Sequence, residues 1–583
     1  MRPSITKLLV ASRGEMARRV VRTAREMGIA TVAVFTEADR GALHVADADE
    51  AVALDRLSGR GPGAYLDGPA LVEAARRAGA DAVHPGAGPL AEDAGFAWRC
   101  AEAGLLYAGP SPEAIATLGS KLEAKALAAG AGVPVLEAEE VEGYPPGKLE
   151  AAAEVLGWPV VVKASAGAGG RGLRVVREGE DLVGAVEATR REATACFGDG
   201  TLFLEPWLEP IRRVDVQIFG DAAGRLVHLF ERDGSLSRHH RTVIEEAPAP
   251  KLPQPLRERL VEAALAVAEA VGYAGAGTVE FLVAGEQLWF GEINTRLDLG
   301  HPVTEAILGL DLVRMQLAAA EGRPLPVEAR HCSPSGHAVG ARLCATGADD
   351  DGTATGRAAE PRRLRRFEID PAPGLRVETG VATGSLVTPD DGLRLATVVA
   401  HAPTRTEAIH RLAAALEGMR IHGLRTNRDD LIAVLRHPAF LAGEVDTGFL
   451  DREDAALEHP LARPRGGPEA VRLHALAAAL AGLPRDGDIA SGSTIFAGPA
   501  GERVEVRYRL DATGAVADAD VHAEIDGVPL PGLRIGAVTP EAVDIEVDGL
   551  RRRVAVARSG DIVDCDSRLG HTELVVLKVC YEA

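Results

Sequence analysis

The sequence predicts a mixed α/β and α+β chain of several domains, closed by a small helix-plus-antiparallel-β-barrel domain. Three observations carry this reading. Strands and amphipathic helices alternate over roughly the first 115 residues, a glycine-rich run follows a buried strand near residue 163, and short alternating strands with turn signals fill the last hundred residues. A length of 583 residues exceeds one compact core and suggests about four domains.

Taken in order, Lys7–Ala11 reads as a strand and Gly14–Met27 as a helix, with Met16, Val20, Val21, Ala24 and Met27 at helical spacing. Thr31–Phe35 is a second, β-branched strand, and Asp81-Ala82-Val83-His84 runs into the turn Pro85-Gly86. Such alternation implies a parallel sheet with helices on both faces, which is Rossmann-like. From about 116 to 333 the pattern is α+β. A strand, Gly336–Leu343, opens the segment 334–450, and a polar insertion with Asp349-Asp350-Asp351-Gly352 follows it. Gly, Pro and Arg crowd residues 460–468, a linker composition. Beyond it an Ala/Leu-rich helix, Glu469–Leu483, precedes strands joined at Asp526-Gly527 and Asp548-Gly549, the dipeptides favoured by tight hairpins. A small barrel or curled sheet is expected there.

Composition narrows the function. Apolar residues make up 46% of the chain and aromatics only 4%, so Ala, Val and Leu must fill the cores. A formal charge of -21 argues against a general nucleic-acid binder, which needs a basic face. Six scattered cysteines without a C-x-x-C pair read as free thiols in a reducing compartment. No apolar run approaches the ~20 residues that cross a bilayer. A soluble cytoplasmic protein without membrane partners is expected.

The chemistry concentrates in the middle. Val160-Val161-Val162-Lys163 delivers a lysine to a loop containing Gly167, Gly169, Gly170 and Gly172, with Arg171 among them. Glycines let backbone N–H groups approach phosphate oxygens, and the two cations supply matching charge. Downstream lie Glu280 and then Glu292-Ile293-Asn294. Glu292 and Asn294 are two apart, so a strand presents them on one face. Two carboxylates and an amide oxygen suit Mg²⁺ or Mn²⁺ shared with phosphates. His239-His240 is a poor chelate, because neighbours on a strand point to opposite faces.

These pieces together resemble biotin carboxylase, the ATP-binding subunit of biotin-dependent acetyl- and propionyl-CoA carboxylases. The resemblance rests on the glycine-rich loop, the acidic strand pair and Glu292-Ile293-Asn294-Thr295-Arg296. Ordered flanking motifs add to it: Ser12-Arg13-Gly14-Glu15, His84-Pro85-Gly86, Glu231-Arg232-Asp233, Glu245-Glu246-Ala247-Pro248, His301-Pro302-Val303-Thr304-Glu305 and Thr426-Asn427. It implies a biotin carboxylase N-terminal domain at 1–115, an ATP-grasp domain at 116–333 with a lid at about 133–205, and a biotin carboxylase C-terminal domain at 334–450. The segment 466–583 is similar to the connecting domain that docks such subunits to their carboxyltransferase. It further implies that Lys121 and Lys163 contact ATP phosphates, that Glu205 and Leu208 lie at the adenine, and that His240 reaches the nucleotide. Glu280, Glu292 and Asn294 would hold the metals, Arg296 would bind bicarbonate, and Arg342 would stabilise the biotin enolate. The sequence contains no A-M-K-M motif, so biotin is expected only in trans, on a biotin carboxyl carrier protein. A carboxyltransferase subunit and a homodimeric state are the other partners implied.

The sequence departs from the family pattern at one end of the site. The family's closing lysine in E-R-D-C-S-x-Q-R-R-H-Q-K is Thr242, its cysteine is Gly234, and a histidine expected near the nucleotide is Arg213. In N-T-R-x-Q-V-E-H-P the glutamine is Asp298, and the glutamate proposed as the base is Gly300. Losing a positioned base costs ~10²–10⁴ in rate. Asp298, two residues away, is the replacement base the sequence offers. Two alternatives stand beside the carboxylase reading: an ATP-grasp ligase for another acid, and a non-catalytic subunit of a carboxylase assembly.

Overall fold

The computed structural model describes residues 4–582 apart from 59–60, 168–170, 239–240, 347–360, 389–393, 457–466, 484–490 and 512–519. The chain forms two compact units, one of residues 1–362, 371–412 and 434–456, the other of residues 363–370, 413–433 and 457–583.

The first unit opens on a five-stranded parallel sheet in the order Glu50–Ala53, Ala30–Phe35, Lys7–Val10, Ala82–His84, Leu106–Tyr107. Leu8, Leu9 and Val10 are fully buried, as a parallel strand covered on both faces requires. The first helix, Gly14–Glu26, buries Met16, Val20, Val21 and Ala24 against the sheet, the helical stripe read from the sequence.

A second sheet of eight strands carries the site. Its order is Gln287–Asn294, Gly275–Ala284, Arg212–Gly220, Leu226–Asp233, Ile244–Ala247, His337–Cys344, Arg394–Ala402, Leu375–Thr379. Ile244–Ala247 pairs antiparallel with His337–Cys344, so one sheet runs across the boundary expected at 333/334. Side chains from both sides of that boundary therefore share one surface. A third sheet, ordered Glu139–Glu140, Leu202–Pro206, Val160–Ala164, Leu173–Val176, packs with the helices Pro146–Leu156 and Leu182–Phe197 around its own small core. It falls within the stretch expected to form the lid.

In the second unit the helix Gly467–Ala481 precedes a nine-stranded antiparallel sheet. Ala475 to Leu480 are each at most 4% exposed. Six consecutive buried residues exceed one helical turn, so the helix is enclosed on all sides. The expected barrel is thus a sheet curled around a helix, with Phe496, Val506, Ile525, Val543, Val554 and Leu574 pressed against it. Its hairpins turn where expected: Asp526-Gly527 and Asp548-Gly549 all have positive φ, the backbone of two-residue primed turns. Among the described residues no helix is long and apolar enough to cross a membrane.

Candidate functional site

The phosphate end assembles from three elements. Lys163 sits one residue before the end of Val160–Ala164, and Gly167 N donates to Ala164 O (3.1 Å) to start the loop. Lys121 begins the helix Lys121–Gly130, and its backbone N–H donates to Ser165 O (3.0 Å), which ties the helix start to that loop. Gly169, Gly170 and His240 lie outside the described residues.

Glu280 pairs directly with Glu292, and Thr278 with Asn294, in antiparallel register. The register therefore brings the three expected metal ligands onto neighbouring strands. Asn294 Nδ2 donates to Glu280 Oε1 (2.6 Å) and Lys121 Nζ pairs with Glu292. Burial pushes the Glu280 carboxyl up to about 8; Arg213 opposes this, while Asp215 and Glu292 add to it. Glu292 goes the other way: burial would raise it, but the Lys121 ammonium outweighs burial. Two carboxylates with opposite protonation tendencies, the amide of Asn294 against one of them and a lysine against the other form an oxygen-rich donor set that fits Mg²⁺ or Mn²⁺.

Glu205 has partners the sequence did not announce. It closes Leu202–Pro206 at 2% exposure, yet its carboxylate is held by lysines: Lys163 Nζ donates to Oε2 (2.6 Å) and Lys125 contacts Oε1. An adenine-contacting role must therefore compete with this buried pairing. Leu208 is half-buried just beyond that strand. Lys125 escaped the sequence reading because it lies one helical turn past Lys121 in an otherwise ordinary Ala/Leu helix.

The opposite end is dense with arginine. Arg232 is fully buried, with Nη1 donating to Gln217 Oε1 (2.8 Å) and Thr304 Oγ1 (2.9 Å), and Nη2 to Asp298 Oδ2 (3.4 Å). Arg296 donates to Asn294 Oδ1 (3.0 Å) and Asp298 Oδ1 (3.3 Å), and its Nε lies 3.1 Å from Glu92 Oε1. Arg342 Nη2 donates to Glu245 Oε1 (2.8 Å). Arg296 thus connects the metal ligands to the arginine cluster, while Arg342 meets a carboxylate that the sequence reading treated only as part of a motif.

The surroundings of Asp298 weigh against its service as a replacement base. Burial works against its charge, but Arg232, Arg342 and Arg296, with the Gly300 N–H at 2.9 Å, hold its carboxyl far below the usual range. A carboxylate so stabilised is a poor proton acceptor near neutral pH. Glu245 occupies the more telling place. A Cβ built on Gly300 would collide with Glu245 Oε2 and stand 3.0 Å from Arg232 Nε. The Glu245 carboxylate, 3% exposed, fills the volume that a side chain at 300 would claim.

Arg213 shows the same pattern. Its guanidinium donates to Thr242 Oγ1 and lies 3.3 Å from Asp215 and 3.8 Å from Glu280. A Cβ on Gly234 would come within 2.5 Å of Arg213 Nη2. The small residues at 234 and 242 thus make room for a cation reaching in from the neighbouring strand.

A nucleotide loop, an acidic strand pair and a separate small sheet define the class: an ATP-grasp protein. Comparison with known proteins agrees. Residues 4–115 match the biotin carboxylase N-terminal domain, 120–328 the ATP-binding domain of the carbamoyl-phosphate synthase L chain, and 342–452 the biotin carboxylase C-terminal domain. Biotin carboxylase of Halalkalibacterium halodurans is 43% identical over 447 residues, covering 76% of this chain and 97% of that protein. The mitochondrial methylcrotonoyl-CoA carboxylase α subunit of Dictyostelium discoideum is 43% identical over 460 residues, 79% of this chain but only 65% of its own length. Among solved structures, the biotin carboxylase domain of Hydrogenobacter thermophilus 2-oxoglutarate carboxylase, in complex with MgADP, ADP and bicarbonate, superposes with a TM-score of 0.73 at 34% identity, covering 78% of this chain and 99% of that one. The chain belongs to the biotin carboxylase family, whose members are ATP-dependent carboxylating ligases.

Proposed function

We propose that the chain carboxylates biotin on a separate carrier, at the expense of ATP and bicarbonate. The observation that supports this most is that the departures at the bicarbonate end are met by charge from neighbouring strands. Thr242 replaces a lysine, and Arg213 brings a cation against its hydroxyl. Gly300 replaces a glutamate, and the carboxylate of Glu245, a residue of the family motif, occupies the space beside it. Position 242 is thus refilled with charge of the same sign, and a carboxylate still borders position 300.

In this reading Lys121 and Lys163 grip the triphosphate beside the loop that starts at Gly167. Lys163 exchanges Glu205 for phosphate oxygens as the nucleotide enters, which frees Glu205 and Leu208 for the adenine. Glu280, Glu292 and Asn294 would hold Mg²⁺ or Mn²⁺, which supplies charge neutralisation at the phosphates. Arg296 orients bicarbonate, and Glu245 takes its proton in place of Asp298. The bicarbonate oxygen then attacks the γ-phosphorus and ADP leaves, giving carboxyphosphate. Carboxyphosphate breaks its C–O bond to give CO₂ and phosphate, the phosphate takes the ureido N–H proton of biotin, and the freed nitrogen bonds to CO₂ while Arg342 steadies the ureido oxyanion. Closure of the lid, about 133–205, excludes water from the reactive intermediate.

The test is ATP hydrolysis by the purified chain with and without bicarbonate and free biotin. Turnover that rises with both is expected. ATP binding with turnover rescued only by another acid would replace biotin carboxylation with a different ligase reaction. Binding without turnover under any acceptor would leave a structural subunit. The same reading supplies the partners, a biotin carboxyl carrier protein, a carboxyltransferase subunit and a second copy of the chain, and places them in the reducing cytoplasm that six free thiols suit.

A further inference from the structure

The second unit contains a side-chain cluster that biotin chemistry does not use. Strand Ile562–Ser567 pairs with Gly570–Glu582 so that Asp566 faces His571 and Asp564 faces Glu573. Residues two apart on a strand share a side, so this hairpin presents two aspartates, a histidine and a glutamate together. His422, 1% exposed at the end of strand Arg420–His422, stacks on His571 with ring centroids 5.1 Å apart. His422 Nε2 lies 2.6 Å from Asp566 Oδ2, and His571 Nδ1 lies 3.1 Å from Asp566 Oδ1. Their other ring nitrogens face Asp564, at 3.7 Å from His422 and 3.4 Å from His571. Arg365 also binds Asp564 (2.9 Å) and Glu573 (2.5 Å). With neutral imidazoles, three carboxylates face one guanidinium, a deficit of two positive charges.

We propose that His422, Asp566 and His571 bind one divalent transition-metal ion, zinc foremost, with Asp564 behind both rings and water completing the shell. One ligand atom from each of the three residues already lies within 4.8 Å of the others. Tetrahedral zinc, with bonds of about 2.0–2.1 Å, draws its ligands to about 3.4 Å apart, so a modest inward movement completes the set. Two imidazoles and one carboxylate select zinc, nickel or copper over magnesium and calcium, which prefer all-oxygen shells. A carboxylate behind a ligating imidazole fixes its tautomer and raises its basicity, and Asp564 is placed to do this for both rings. The ion neutralises the charge deficit, and the side chains of Asp566 and His571, 14% and 21% exposed, leave it a route in. Bound there, it clips strand Arg420–His422 to the C-terminal hairpin.

The experiment uses the full chain, stripped with chelator and held in millimolar Mg²⁺ to saturate Glu280 and Glu292. Zinc chloride is titrated calorimetrically, and the melting temperature is followed in parallel. One zinc per chain with a Kd below about 1 µM is expected, with a melting temperature that rises with zinc. His571→Gln should weaken binding by at least about 100-fold, whereas Glu573→Gln should bind as the parent does. Cobalt substitution in the parent chain should give a visible absorption band that zinc bleaches, which needs no variant to fold. An isotherm unchanged by His571→Gln, or the absence of the cobalt band, overturns the proposal. So does a melting temperature indifferent to zinc that falls as pH rises through the histidine range, for then two protonated imidazoles supply the missing charge.

Discussion

The phosphate end and the bicarbonate end of the site meet at Glu280, Glu292 and Asn294 on the eight-stranded sheet, yet they hold their charges differently. At the phosphate end Lys121, Lys163, Glu280, Glu292 and Asn294 stand where the sequence motifs put them, and each meets its partner directly. At the bicarbonate end the motif positions 242 and 300 have lost their charges; Arg213, where the family pattern has a histidine, brings a cation against Thr242, and Glu245, itself a residue of the family motif, holds the space beside Gly300. The difference teaches that a site's charge pattern in space can outlast its pattern in sequence.

The sharpest way to break that comparison is Glu245→Gln. If Glu245 takes the bicarbonate proton here, bicarbonate-stimulated ATP hydrolysis should fall by about 10²–10⁴ while Mg-ATP affinity, measured by calorimetry, stays within about twofold. An unchanged rate would restore Gly300 to a simple loss. Arg213→Met should lower the same rate by about 10²–10³, the usual effect of removing one group that stabilises developing charge. A double variant, Arg213→His with Thr242→Lys, should recover most of it by returning the cation to its family position.

Acid stability separates the site from the fold that carries it. Burial lowers the His84 imidazole to about 4, although the Gln316 hydrogen bond opposes this. The unfolded chain therefore binds the extra proton between about pH 6.5 and 4, and stability is lost as pH falls through that window, by about 3 kcal/mol. Chemical denaturation across this range should show the slope in the parent, Glu245→Gln and Arg213→Met alike, and a flatter one in His84→Gln. The smallest effect is expected from Gly300→Glu. Restoring the family residue forces two carboxylates into one space, so the variant should lose about 1–3 kcal/mol of stability and turn over more slowly than the parent. Faster turnover would mean that position 300 had merely lost its base.

Much of this was legible in the sequence where a local rule governs. The parallel sheet follows from strand–helix alternation, the hairpins from Asp-Gly pairs, and the juxtaposition of Glu292 with Asn294 from strand period. What local rules miss is contact between residues far apart in sequence. Glu245 and Gly300 are brought together by sheet pairing and a loop return, and no periodicity marks such a meeting. Asp298 was chosen as base because it is close in sequence, but three guanidiniums, two of them (Arg232 and Arg342) from distant strands, hold its charge. The lysine pairing of Glu205 was invisible for a similar reason: Lys125 and Lys163 lie on two different elements.

The swallowed helix of the second unit has a consequence for biosynthesis. Residues 467–481 leave the ribosome ahead of every strand of the sheet that sheathes them, and strand Ser491–Ala497 must wait for Gly570–Glu582, its partner on one side, at the far end of the segment. At about 5–20 residues per second an apolar rod stays bare for several seconds. Nascent chains stalled before residue 570 should therefore recruit holdase chaperones, and removal of the terminal strand should send the polypeptide to proteolysis.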